Sequence, residues 1–191
     1  MKRITKSLLV GIFMLASISA VNAQNYKHSI GVVVGTMDGV SYKTFFSENL
    51  ALKADLAYKY TVTYGGKYDY GYGYSSYNSY VSTFELNPNF LYQKNITSFG
   101  WGDLDWYAGG GVSIGYAFGG YGYSYGYGYG RGYGLGKFGV NASGGVELAL
   151  TGKVPLAFDS DFRPGYGLLF GRGGTGSYFD WALTFGVRYC F

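Results

Sequence analysis

The chain has 191 residues, about one domain's worth, with 15 Lys and Arg against 11 Asp and Glu, a formal net charge of +4 and a single Cys. One Cys excludes an intramolecular disulfide scaffold, and no apolar run reaches the ~20 residues that a membrane-crossing helix needs. Lys2, Arg3 and Lys6 lie within the first 23 residues, so beyond them the balance falls to 12 against 11. That removes the basic face a nucleic-acid partner would require.

Residues 1–23 read as a secretory signal peptide. The three cations give a basic start, Ser7 to Ile18 are mostly apolar, and Val21-Asn22-Ala23 places small residues at a cleavage site. The expected mature domain is 24–191, exported and bacterial.

Beyond the signal the chain alternates large apolar residues with small or polar ones, the period-two signature of strands with two unlike faces. Ile30–Thr36 and Val40–Phe46 form two short strands about a Met37-Asp38-Gly39 turn. Leu50–Val62 sets Leu50, Leu52, Leu56, Tyr58 and Tyr60 against Lys53, Asp55 and Lys59. Tyr80–Tyr92 sets Phe84, Leu86, Phe90 and Tyr92 against Glu85, Asn87 and Asn89, with Ser82 interrupting the apolar face. Leu104–Phe118, Phe138–Leu150 and Val154–Phe162 repeat the pattern. Phe179–Phe191 is the cleanest case, with Phe179, Trp181, Leu183, Phe185, Val187, Tyr189 and Phe191 all on one side.

Eight strands result, an even number that returns both termini to one side, as in bacterial outer-membrane barrels. Short connections at Ser47–Asn49, Asn95–Gly100 and Thr151–Lys153 alternate with longer segments expected near 65–79, 119–136 and 164–177, the last of them partly extended strand on the alternation of Tyr166, Leu168 and Phe170. This matches the usual contrast of short periplasmic turns with long extracellular loops. Volume chooses the orientation of the faces. An eight-stranded barrel has an interior that side chains just fill, which suits the Gly, Ala, Ser and charged face, while the Trp, Tyr, Phe and Leu face suits lipid. The expected fold is all-β, a transmembrane eight-stranded antiparallel up-and-down β-barrel. Leu148→Arg is the substitution that would probe the lipid-facing assignment.

On these strands, turns, signal and terminal Phe191, the mature chain resembles the small eight-stranded outer-membrane barrels of the OmpA/OmpX type. The ending Tyr189-Cys190-Phe191 is similar to that family's C-terminal assembly signal. The resemblance implies that Tyr189 and Phe191 engage the outer-membrane assembly machinery, and that outer-membrane lipid and lipopolysaccharide are partners.

The expected lumenal charges are Lys43, Lys53, Asp55, Lys59, Glu85, Asp105, Glu147, Asp159, Asp161, Arg163, Asp180 and Arg188. They read as a plug of ion pairs rather than as an acid–base site. Asp159 and Asp161 share a face and invite a basic partner, with Arg188 as the candidate. The one His, His28, stands at the start of the first strand and reads as a rim residue, so no catalytic, metal or cofactor residues are assigned. Tyr70, Tyr72, Tyr74, Tyr121, Tyr123, Tyr125, Tyr127, Tyr129, Arg131 and Tyr133 belong to Tyr/Gly tracts. Their flat rings and hydroxyls suit contact with a cell-surface ligand. The expected function is a non-catalytic structural or surface-interaction barrel. A narrow porin-like channel is the alternative, and a lipid-modifying enzyme stands behind both.

Overall fold

A computed structural model describes residues 26–69, 74–123, 133–151, 154–171 and 174–191. The expected signal peptide lies outside the described residues. The strands are β1 (His28–Gly35), β2 (Asp38–Phe45), β3 (Leu50–Asp69), β4 (Tyr74–Phe99), β5 (Gly102–Tyr123), β6 (Tyr133–Leu150), β7 (Leu156–Gly171) and β8 (Gly174–Cys190). Each pairs antiparallel with its sequence neighbour, and β8 returns to β1, closing an eight-stranded up-and-down barrel. His28 and Phe191 exchange backbone hydrogen bonds of 2.9 and 2.8 Å at the seam.

The strands run further than the sequence pattern suggested. The segment expected as a loop near 65–79 is mostly strand, because Tyr and Thr favour extended backbone, and 164–177 is strand over most of its length, following the alternation of Tyr166, Leu168 and Phe170 into the β7–β8 hairpin. The 119–136 segment contains the end of β5 and the start of β6. Asn95–Gly100 is likewise strand up to Phe99, with a bulge at Ile96 absorbing the register change. Asp38 and Gly39 belong to β2, and the turn moves back to Thr36 and Met37, where Gly35 takes φ 144° and its N–H donates to Asp38 Oδ1. β7 begins at Leu156 rather than Val154, since Pro155 has no N–H to offer a ladder.

The register fixes the stagger. From Val32, pairing leads through Val40, Leu56, Leu86, Ile114, Phe138 and Leu168 to Ser177. Val32 itself pairs with Val187, so one circuit climbs from residue 187 to residue 177, a shear of ten. With a rise of ~3.3 Å per residue and ~4.8 Å between strands, that shear tilts the strands by about 41°.

The outer wall is the apolar face. Val32, Leu56, Phe90, Phe162 and Phe185 are among the exposed large residues, while Lys43, Lys53, Asp55, Glu147, Asp161 and Arg188 are buried. The inward and outward sets are therefore those expected from alternation. The tilt places Tyr92, Trp106, Tyr189 and Phe191 in a girdle at the end carrying the termini. Tyr58, Phe84, Tyr116, Tyr166 and Trp181 form a second girdle at the far end. Trp106 and Tyr116, one from each girdle, stand on the same strand β5, and at a rise of ~3.3 Å per residue and the tilt above their separation along the axis is about 25 Å, the height of an outer-membrane apolar band. Ser82, the interruption on this face, is covered: its Oγ lies 2.9 Å from the Tyr58 hydroxyl, and it is buried.

β1 and β2 are eight residues each and stop at the far girdle, whereas β3 to β8 continue beyond it. A notch therefore opens between β3 and β8 above the β1–β2 turn.

Candidate functional site

Lumenal side chains come from every second residue of the strands, and several of their ion pairs cross the barrel from one strand to the strand opposite. Lys43 on β2 donates to Glu147 Oε2 on β6 at 2.9 Å. Lys53 on β3 donates to Asp159 Oδ2 and Asp161 Oδ2 on β7 at 2.8 and 3.0 Å. Arg163 on β7 donates back to Asp55 on β3. On a ring of eight, β2 faces β6 and β3 faces β7, so these bridges are diameters. A lumen crossed by them is filled.

Three layers follow along the axis. The layer nearest the termini holds Lys43, Gln93, Asp105, Glu147 and Arg188. Glu147 accepts from Lys43, from Arg188 and from Tyr26, and Gln93 bonds Lys43, Asp105 and Glu147. The Tyr26 hydroxyl, contributed by the segment before β1, closes this layer from below. Burial, with the Glu147 carboxylate beside it, raises the Tyr26 phenol well above the ordinary tyrosine range. The middle layer holds Lys53, Asp55, Asp159, Asp161 and Arg163. The far layer holds Lys59, Glu85, Lys137 and Asp180, where Lys137 donates to Glu85 at 2.7 Å and to Asp180 at 3.0 Å.

All twelve lumenal residues expected from the sequence face inward and take part in this network. One pairing differs. Arg188 Nη1 lies 2.9 Å from Asp159 Oδ1, a charge contact outside hydrogen-bond angles, but Asp161 is served by Lys53, Arg163 and Ser143. Arg188 also donates to Glu147, which pairs with Asp159 across β6 and β7.

Four members were not anticipated. Lys137 is one alternation step before the start assigned to its strand, in phase with Gly139 and Asn141. Gln93 likewise continues the phase of Asn87, Asn89 and Leu91. Extending each alternation by two residues finds both. Tyr107 shares the phase of the inward Asp105; its hydroxyl lies 3.2 Å from Asp159 Oδ2, and Lys43 and Lys53 stand 5.4 and 5.7 Å from its ring centre. Tyr26 precedes the first strand and carried no signal.

Small residues make room for these groups. A Cβ on Gly145 would sit 2.6 Å from the Tyr107 hydroxyl, and one on Gly186 would strike the Asp159 carboxylate.

His28 lies on the outer wall beside the termini. Its Nδ1 is 2.9 Å from the Tyr42 hydroxyl and 3.0 Å from Thr44 Oγ1, and its ring centre lies 5.7 Å from that of Phe191 at a tilt of 32°. Among the described residues no cluster of three or more metal-ligating side chains occurs. Of the Tyr/Gly tract, Tyr74, Tyr121, Tyr123 and Tyr133 stand on β4, β5 and β6. Tyr70, Tyr72, Tyr125, Tyr127, Tyr129 and Arg131 lie outside the described residues.

A major outer-membrane protein of Thermus thermophilus is similar in structure, with a TM-score of 0.54 and 14% identity over 88% of this chain and 100% of that one. The fold is that of an outer-membrane β-barrel. The attachment invasion locus protein Ail of Yersinia pestis, solved with the heparin analogue sucrose octasulfate, is also similar, with a TM-score of 0.45 and 11% identity over 86% of this chain and 96% of that one. No family model and no curated relative matches.

Proposed function

We propose that this outer-membrane barrel fold is a non-catalytic integral protein of the bacterial outer membrane, with a solid lumen and a structural or surface-interaction role. The observation that carries the reading is the set of bridges between opposite strands, Lys43–Glu147, Lys53–Asp159 and Arg163–Asp55. They occupy the axis a solute would use. The apolar outer band fits outer-membrane lipid, with lipopolysaccharide at the far girdle, and Tyr189 and Phe191 on the last strand are the residues for the assembly machinery.

The projecting ends of β3 to β8 and the Tyr/Gly tracts are the surface available to a cell-surface ligand. Deleting residues 124–132, between β5 and β6, tests this. Loss of binding to host or bacterial surfaces with the barrel still folded supports it, and unchanged binding removes it.

A narrow porin-like channel is the second reading, favoured by a vestibule of about 580 Å³ at the end carrying the termini, lined in part by Tyr26, Lys27, Glu48, Lys94, Asp103 and Asp105. Planar-bilayer recordings separate the two. Silence is expected, and steady single-channel steps would overturn the plug.

A further inference from the structure

Between the middle and far layers lies a cavity of about 20 Å³, bordered by Asn87, Ser113, Asn141, Arg163, Met37 and Ala182 among others. We infer that it is a binding site for one ordered water molecule, an internal component of the plug that ties β4, β5, β6 and β7 together. A site of this size holds a water when two to four polar partners face it.

The partners are set by Ser113. Its hydroxyl donates to Asn87 Oδ1 at 2.6 Å and accepts from Asn141 Nδ2 at 3.0 Å. In this arrangement Asn87 presents its oxygen and Asn141 its nitrogen to the hydroxyl, which leaves Asn87 Nδ2 and Asn141 Oδ1 without a partner among the described residues. Asn87 is 2% exposed and Arg163 4% exposed, and Arg163 keeps Nε and Nη1 without a partner among the described residues. Each buried donor left unmade would carry a substantial desolvation cost.

The ligand chemistry follows from the mixture. Chloride can accept from Asn87 and Arg163 but has no hydrogen for Asn141. A metal cation could take the Asn141 oxygen but would face the guanidinium, and the Glu85 and Asp180 carboxylates that also border the cavity are already neutralised by Lys137. Water accepts from the donors and donates to the carbonyl. It also costs no charge in a lumen where Arg163 already serves Asp55 and Asp161.

The test is a crystal structure of the detergent-solubilised chain from crystals soaked in bromide. A solvent peak within hydrogen-bond reach of the Asn87 and Asn141 amides and Arg163, with no anomalous signal, is the expected result. An anomalous bromide peak there, or side chains collapsed into a dry cavity, would overturn it. In solution, nuclear Overhauser transfer from long-lived water to the Asn87 side-chain NH2 should appear in nanodiscs, and its absence would also overturn the site. In Asn141→Leu, which removes the carbonyl, that transfer should be lost; its persistence would show that the water does not bridge the amides.

Discussion

The Lys59 ammonium on β3 donates to the backbone carbonyl of Trp181 on β8 at 2.9 Å, across the notch left where β1 and β2 stop. Next to it, the Trp181 N–H is taken by Asp180 Oδ1, and Leu183 is bonded through its oxygen and nitrogen by Thr36. Side chains thus cap the first backbone groups of β8 that have lost their neighbour, the protection that exposed edges require. Lys59→Met should cost at most about 1 kcal/mol, the scale of an accessible ion pair. It should nonetheless speed amide hydrogen exchange at Trp181 and its neighbours. Unchanged exchange would show that the clasp does not hold the edge.

Glu147 is the acceptor on which Lys43, Arg188 and Tyr26 converge. Glu147→Leu leaves the buried Lys43 without its counter-charge and Arg188 with Asp159 alone, so a loss of about 3–5 kcal/mol is expected. Urea titration of reversible folding in vesicles measures it. A loss below about 1 kcal/mol would mean that the cations find water or other acids.

The register changes the site that best probes the lipid face. Leu148, opposite Leu104 and Phe158, stands near the level of Trp106 and Tyr189 at the girdle, not at mid-height. Phe185, paired with Val34 and Ser160 and exposed, lies near the middle. Phe185→Arg should therefore cost about 2–4 kcal/mol and Leu148→Arg about 0–1 kcal/mol in the same folding assay. Equal costs would contradict the stagger.

Tyr26 gives a pH dependence. Its phenol is held protonated by burial and by Glu147, so its folded pKa exceeds the unfolded value of about 10. Its contribution is complete below that pH and is lost as pH rises above it, because the unfolded chain releases the proton first. The stability difference between wild type and Tyr26→Phe should thus shrink between neutral pH and pH ~11. A difference flat over that range would place Tyr26 away from Glu147.

Alternation made the strands and their inward residues legible, since a residue's face depends only on parity. Partner identity was not legible, because it depends on the shear. Arg188, the candidate for Asp159 and Asp161 if the first and last strands close beside it, reaches Asp159, whereas Asp161 is met by Arg163 two residues along its own strand and by Lys53 from the opposite wall. Strand ends are least legible where Gly and Tyr dominate: glycine reads as a breaker, yet Gly119, Gly120 and Gly122 on β5 pair with Val81, Tyr80 and Asn78 on β4. The Ser113 relay between two amides was invisible for the same reason, since it joins three strands.

Bridges that run along diameters also constrain how the molecule is made. Lys43 meets Glu147, and Lys53 meets Asp159, when the ribbon has curled round far enough for its halves to confront each other. A flat, partly inserted sheet would present those ions to hydrocarbon. Neutralisation and circularisation are therefore one event, and the growing sheet needs a sheltered, wet enclosure until the His28–Phe191 seam is sewn.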